Sequence, residues 1–580
     1  MPSVSSILRD RLRSAIVAAF GEEHAVADPQ IGPSTNPKFG DYQANVAMPL
    51  GKRLKRNPRD VAQSLVERLD LVGVCAQVDV AGPGFINLRL EDAFLLDQLA
   101  AASADDRLAV APAEPRQTVV VDYCGPNVAK QMHVGHLRSL LIGDSFSRVL
   151  GFLGHEVIRQ NHVGDWGLQM GMVTHAVEQA SMDPSELTLE GMEQLYRRTT
   201  EAAKDDQELS GQLIERTRNL QNSLKSELPA WNAARTLTLD VVHATFKRLG
   251  VLLGPDDERG ESAYAELYDP MVNQLVEDGF AQRTDGAIGI FPPGFINRDG
   301  QPLPFRIVSR DGTYQYATFD LAALRHRTQN LHAQRIIYTH DSRQADHFAM
   351  LFAVGRQVGY VPDQTRLDYA PFGTVLGADG KPLKTREGDN VKLSDLLDEA
   401  VSRARTLIDR KDIELPEAQR QAVAAAVGIG AVKYADLSND RVKDYVFDWD
   451  RMLAFEGNTA PYLQNAFVRI RSIFRKGDVG PADVAPRAAT IGDPAERILA
   501  LRLVQFPTVV AGVAESLEPH RLCTYLYELA TAFHQFYEKC PVLNAASNEV
   551  RGNRLHLCDV TARTLGTGLD LLGIEAVEQM

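Results

Sequence analysis

The segment Asp122-Tyr123-Cys124-Gly125-Pro126-Asn127-Val128-Ala129-Lys130-Gln131-Met132-His133-Val134-Gly135-His136 concentrates groups that bind phosphate. Its first two residues end the run Thr118–Tyr123, read as a buried strand, and it leads into a helix from about Val134 to Leu150. At such a junction backbone N–H groups and the helix dipole favour an anion. His133 and His136, separated by Val134 and Gly135, can both face that anion, and Gly135 removes a side chain that would block close approach. Two histidines satisfied at a helix end are the plain alternative. His133 and His136 lack a third ligand at convincing spacing, so no metal held by protein alone, and no zinc, is expected.

A second segment, Leu376–Gly388, places glycines, a proline and the cations Lys381, Lys384 and Arg386 on a loop after a strand near Asp368–Phe372. With Gly380 it describes a mobile cationic clamp for phosphate, or else a solvated basic turn. A third feature is a basic run, Lys52-Arg53-Leu54-Lys55-Arg56-Asn57-Pro58-Arg59, which is either a solvated helix face or a phosphate-backbone contact.

The elements that must position these residues divide the chain in three. Residues 1–110 open with an amphipathic helix (Ile7, Leu8, Leu12, Ile16) and close with short alternating pieces near Val78 and Phe85, an α+β domain. Residues 111–414 alternate strands with helices, which predicts a parallel Rossmann-type sheet with a ligand crevice at the strands' carboxyl ends. A charged helical insertion is expected at about 168–249, with strands resuming at Ala287–Phe291, Phe305–Val308, Arg335–Thr339 and Arg366–Tyr369. Residues 415–580 read as helical throughout.

A length of 580 residues with 44% hydrophobic and 24% charged residues excludes a disordered or collagen-like chain. No uninterrupted apolar run approaches a membrane span, and the N-terminus lacks a signal-like apolar core, so a cytoplasmic protein without a membrane partner is expected. Five scattered cysteines give no disulfide or zinc pattern. The net charge of −14 argues at first against nucleic acid, but it is uneven. The three regions carry −2, −9 and −3, so the acidity sits in the middle and the ends are close to neutral.

His133-Val134-Gly135-His136 resembles the HIGH signature of class I aminoacyl-tRNA synthetases, and the longer string from Pro126 to His136 resembles its form in the bacterial arginyl-tRNA synthetases. The tetrapeptide alone is shared with cytidylyltransferase-like enzymes. The Leu376–Gly388 loop is similar to a degenerate KMSKS loop, with Lys384 at its critical lysine and Lys130 at the position thought to compensate. The resemblance implies an arginine site at Asn127, Glu261, Tyr316, Asp320 and Gln344. Arginine brings a permanent guanidinium with five donors, which the acidic middle region suits. On a helix Tyr316 and Asp320, four apart, share one face. Taken singly, Asp320 could be a helix N-terminal charge, Tyr316 a half-buried core aromatic and Gln344 a surface amide. Asn161–Gly167 is another family-like string, expected to line the site.

The helical C-terminal region resembles the DALR-type anticodon-binding domain. There Tyr462, Arg469 and Arg471 could stack bases and hold phosphates, although helical packing explains them equally well. The first region is similar to the arginyl-specific domain that touches the tRNA elbow, through the string Asn36–Gln43 that includes Lys38. What the resemblance implies is an arginyl-tRNA synthetase using ATP with Mg2+, L-arginine and tRNA(Arg), and acting as a monomer. Arginine would be activated to arginyl-adenylate with release of pyrophosphate, then passed to the terminal adenosine of the tRNA, by class I habit through its 2′-hydroxyl. Alternatives are a class I synthetase for another amino acid, a cytidylyltransferase-like enzyme, or a catalytically silent RNA-binding protein.

Overall fold

Four strands, Thr118–Asp122, Glu156–Gln160, Arg335–Tyr338 and Arg366–Tyr369, form a fully parallel sheet. These are strands of the computed structural model, which describes residues 2–34, 36–179, 188–222, 227–384, 391–410, 415–480, 484, 488 and 490–580. Their spatial order is Arg366–Tyr369, Arg335–Tyr338, Thr118–Asp122, Glu156–Gln160, with Val120 opposite Ile336 on one side and Ile158 on the other. The two central strands are rich in β-branched residues, which fit a pleated surface. Val119, Val121 and Ile337 enter one core, whereas Val120, Ile336 and Tyr338 enter another, so both faces are covered as a parallel sheet requires. The chain passes from Thr118–Asp122 through the helix Val134–Phe152 to one neighbour and returns much later to the other. That reversal opens a crevice beyond the carboxyl ends of the central strands.

Between Glu156–Gln160 and Arg335–Tyr338 the chain folds the helices Leu168–Gln179, Leu189–Asp205, Gln207–Gln221, Leu228–Leu249 and Ala265–Glu277. Strands Ala281–Thr284, Ala287–Ile290 and Phe305–Val308 follow, but they make a separate antiparallel sheet rather than extending the parallel one. The turn decides this. Asp285 and Gly286 both adopt positive φ (50° and 82°), the geometry of a tight two-residue hairpin, which can join only antiparallel strands.

In the N-terminal region Leu8, Leu12 and Ile16 of helix Val4–Phe20 are buried beside a four-stranded antiparallel sheet. Beyond residue 415 the long elements are helices, and a two-residue strand, Tyr445–Val446, pairs parallel with Val375–Leu376 beneath the predicted clamp. Arg497 links the two ends of the chain, holding Asp41 through both guanidinium nitrogens at 2.8 and 3.0 Å and Asp92 at 2.7 Å. The stretch Pro494–Ser516 is long and apolar enough, by length and composition, to cross a membrane, although charges interrupt it. It folds as two helices, Pro494–Leu503 and Phe506–Ser516, and 56% of its most apolar window is buried inside the protein.

Candidate active site

The loop after the central strand Thr118–Asp122 is held in an unusual path. Cys124, Gly125 and Ala129 all have φ between 59° and 77°. Side-chain acceptors fix it: Cys124 N–H donates to Ser139 Oγ (2.9 Å), Gly125 N–H to Asn161 Oδ1 (3.1 Å) and Ala129 N–H to Thr238 Oγ1 (3.0 Å). Gly164 exchanges backbone bonds with Pro126 and Val128 at 3.0 and 3.1 Å. A Cβ on Gly164 would strike the Asn127 amide, so the string Asn161–Gly167 braces the loop by close backbone approach.

His133 caps the following helix, its Nδ1 accepting the Gly135 N–H at 3.0 Å, while His136 Nδ1 accepts the His133 N–H at 3.2 Å. With both Nδ1 lone pairs occupied, the neutral tautomer of each ring carries its proton on Nε2, where it can be donated to an anion. Burial and the charge of Lys130 hold the His133 imidazole below its ordinary pKa. Burial, with His133 adding to it, takes His136 down to about 3. Both rings are therefore neutral donors at physiological pH. Gly135 has a use that its spacing does not announce: its missing Cβ makes room for the His133 ring itself, whose Cε1 would lie 2.7 Å away.

One cavity of about 510 Å3 opens at this loop, and Asn127, His133, Gly135, His136, Glu261, Tyr316, Asp320 and Gln344 all line it. Tyr316 begins the helix Tyr316–Gln329, and Gln344 ends a short helical turn after strand Arg335–Tyr338. Burial raises the Asp320 carboxyl, but a hydrogen bond from His347 Nε2 at 2.6 Å and that ring's charge outweigh it and hold Asp320 below its ordinary value. His162 Nε2 stands 3.6 Å from the other oxygen. Glu261 is the opposite case. Burial, with Asp165 adding to it, pushes its carboxyl well above the usual range, although Trp166 N–H donates to it at 2.9 Å. Deeper still, burial would raise Asp122, but Arg327 Nη2 at 2.8 Å and His340 keep it well below the carboxylate range. The cavity lining thus combines the acidic side chains of Asp320 and Glu261 with the neutral N–H donors of His133 and His136, which suits a cationic amino acid beside a phosphate.

The predicted cations lie outside this cavity lining. Lys130 Nζ stands 5.3 Å from the Tyr196 ring centroid on the inserted helix Leu189–Asp205. Val375–Leu383 folds back as a tight hairpin, with Leu383 N–H donating to Val375 O at 3.0 Å and Gly380 at φ 71° in its turn. Lys381 and Lys384 are exposed; Arg386 lies outside the described residues. Beyond the loop, Val134 N–H donates to Val391 O and Leu393 N–H to Met132 O, each at 3.0 Å, so the chain returns to the histidine segment.

The positions predicted to meet RNA are not part of this cavity's lining. Lys38, Lys52, Arg53, Lys55 and Arg56 are exposed on the N-terminal domain. On helix Ala460–Gly477, Tyr462 is half-buried against His534 and Tyr527, Arg469 donates to His534 Nδ1 at 3.2 Å, and Arg471 pairs with Glu578 at 2.8 Å. Among the described residues no group of three or more His, Cys, Asp or Glu side chains could hold a metal ion.

His162 and Gly164 of the string Asn161–Gly167 line the cavity as expected, whereas the sequence reading missed His340, Asp341, Arg343 and His347, which line it too. Two of these four, His340 and Asp341, follow closely on the carboxyl end of strand Arg335–Tyr338, so listing polar residues at such ends would have found them.

Comparison with known proteins agrees with this geometry. Residues 98–449 match the model for class I tRNA synthetases (R), catalytic domain, residues 463–580 the DALR anticodon binding domain, and residues 6–90 the arginyl tRNA synthetase N-terminal domain. The chain is 47% identical over 582 residues to an arginine–tRNA ligase of Synechococcus elongatus, covering 99% of each. It is 46% identical over 583 residues to one of Escherichia coli, covering 100% of each. Among solved structures it is similar to the arginyl-tRNA synthetases of Plasmodium falciparum (TM-score 0.83, 27% identity, 100% of both chains) and Thermus thermophilus (TM-score 0.81, 26% identity, 99% of this chain and 100% of that one). With a strand-to-helix histidine signature, an acidic cavity and family domains along its length, the chain belongs to the arginyl-tRNA synthetases of class I.

Proposed function

We propose that this chain is an ATP-dependent arginine–tRNA ligase acting in two steps at the cavity beyond the carboxyl ends of the central strands. In the first, the arginine carboxylate attacks the α-phosphorus of ATP. A carboxylate–phosphorus bond forms, and the α–β bridging bond breaks with its electron pair leaving on pyrophosphate. In the second, a hydroxyl of the terminal adenosine of tRNA(Arg), by class I habit the 2′-hydroxyl, attacks the activated carbonyl and AMP departs. The protein contributes positioning and preorganised charge. Asp320 and Glu261, with Tyr316, would hold the cationic arginine, and Asn127 and Gln344 would orient it. His133 and His136 would donate their Nε2 protons to phosphate oxygens, and Lys130 and Lys384 would neutralise the leaving pyrophosphate. Magnesium would arrive on the nucleotide and shield its phosphate charge. The exposed basic run Lys52–Arg56, Lys38 and the cluster of Tyr462, Arg469 and Arg471 would meet tRNA at the two ends of the chain, in three units of residues 1–110, 111–414 and 415–580. A cytoplasmic location and a monomeric state complete the proposal.

The observation that carries it is the sharing of one cavity by the two signature histidines and five side chains drawn from distant parts of the sequence. ATP–pyrophosphate exchange measured with each of the twenty amino acids, with bulk tRNA present, tests it: arginine alone should support exchange. The degenerate clamp further predicts that omitting tRNA slows that exchange, and full-speed exchange without tRNA would sink this second point.

A further inference from the structure

Tyr196 is close both to Lys130, assigned above to pyrophosphate, and to Tyr316, assigned above to arginine. It is half-buried on helix Leu189–Asp205, with the Lys130 ammonium 5.3 Å from its ring centroid. It is also close to Tyr316, whose phenol is pushed up by burial, by Glu261 and by Tyr196 in turn. The same helix grips the neighbours of His133 at two more points. Glu193 accepts the Gln131 side-chain amide at 3.2 Å, and Glu190 pairs with Lys392 Nζ at 3.2 Å. Residues 190, 193 and 196 recur every three positions, so they lie along one side of the helix. Lys392 in turn is bridged antiparallel to His133. A cavity of about 330 Å3, sharing His133 with the larger one, is left between Glu193, Arg197, Gln131 and Lys392.

These contacts differ in what they do to charge. A carboxylate facing Lys130 would neutralise it. An aromatic face attracts the ammonium without cancelling its charge, and restricts a side chain that otherwise has four rotatable bonds. That charge is felt at the signature, since it lowers both His133 and His136.

We propose that Tyr196 is a positioning residue for Lys130, fixing its ammonium beside His133 so that it meets the departing pyrophosphate. This rests on the assignment of Lys130 to pyrophosphate made above. The test is ATP–pyrophosphate exchange by the full-length enzyme with arginine and tRNA, for Lys130→Ala, Tyr196→Phe, Tyr196→Leu, Tyr196→Met and the double variant Lys130→Ala/Tyr196→Leu. The ring is what matters, so Tyr196→Phe should match the native enzyme. Tyr196→Leu and Tyr196→Met should each lower kcat by about 3- to 10-fold with the arginine KM unmoved, as loss of one cation–π contact implies. The double variant should be no slower than Lys130→Ala alone. A native kcat for Lys130→Ala would overturn the assignment of Lys130. A slow Lys130→Ala enzyme combined with native kcat in both ring-less variants would overturn the Tyr196 proposal by itself. So would a double variant whose loss is the product of the single losses.

Discussion

Replacing Asp320 with asparagine removes one negative charge from the cavity at almost constant volume. In the native protein this carboxylate is held below its ordinary pKa despite burial, because His347 Nε2 donates to it at 2.6 Å, so it is ionised throughout the neutral range. A guanidinium entering the cavity gives up water and needs charged acceptors in return. A hydrogen bond to a charged group contributes about 1.5–3 kcal/mol net, so its loss should raise the arginine KM roughly 10- to 150-fold. The loss stays within that range because Glu261 still lines the cavity. The KM for ATP should change little, because the histidines proposed to face phosphate belong to another element. Steady-state exchange at varied arginine and at varied ATP separates the two constants. An unchanged arginine KM would refute the assignment of Asp320, and an equal rise in both constants would point to general damage.

Other perturbations test the remaining groups. Since burial pushes the Glu261 carboxyl well up, its ionised form, the one that attracts a cation, gains population as pH rises, so the native arginine KM should fall with increasing pH. Glu261→Gln should raise that KM and flatten its pH dependence. Stability has the opposite sign: a raised carboxyl contributes fully below its unfolded pKa of about 4.3 and loses that contribution as pH rises through the folded value. Thermal melts of Glu261→Gln at pH 8 should therefore lie no lower than native ones. His136, depressed to about 3, acts as a neutral donor, so its titration should leave no step in the exchange rate between about pH 5 and 8. His136→Ala should cut kcat by about 10²–10³, as loss of one preorganised donor does, and His136→Gln, which keeps a donor, should lose less. Gly143 faces Tyr123, and an added Cβ would collide with that ring. Gly143→Ala should cost about 1–3 kcal/mol by denaturant unfolding and slow exchange by displacing the loop that Tyr123 precedes.

The parts of this molecule legible in the sequence were those whose signal is local. The run Thr118–Val121 followed by a glycine-containing loop and two histidines announces a strand, a phosphate loop and a helix within nineteen residues. Tyr316 and Asp320 could be paired by helical spacing alone. What stayed hidden was set by distant contacts. His347 becomes part of the site only because its helix lies beside Tyr316–Gln329, and Tyr196 only because the insertion folds back over Lys130. The contact of Gly135 with the His133 ring was equally hidden, because ring placement is not written in spacing. Net charge misled for a related reason: its sign belongs to the whole chain, whereas a cationic substrate and an RNA meet particular surfaces.

The central claim, that this cavity joins arginine to tRNA at the expense of ATP, is tested most directly by charging bulk tRNA with radiolabelled arginine using the purified chain. The expected result is ATP-dependent, base-labile labelling of a tRNA fraction, with one AMP and one pyrophosphate formed for each arginine attached. Labelling that proceeds without ATP, or its complete absence while the folded protein still binds tRNA, would contradict the account.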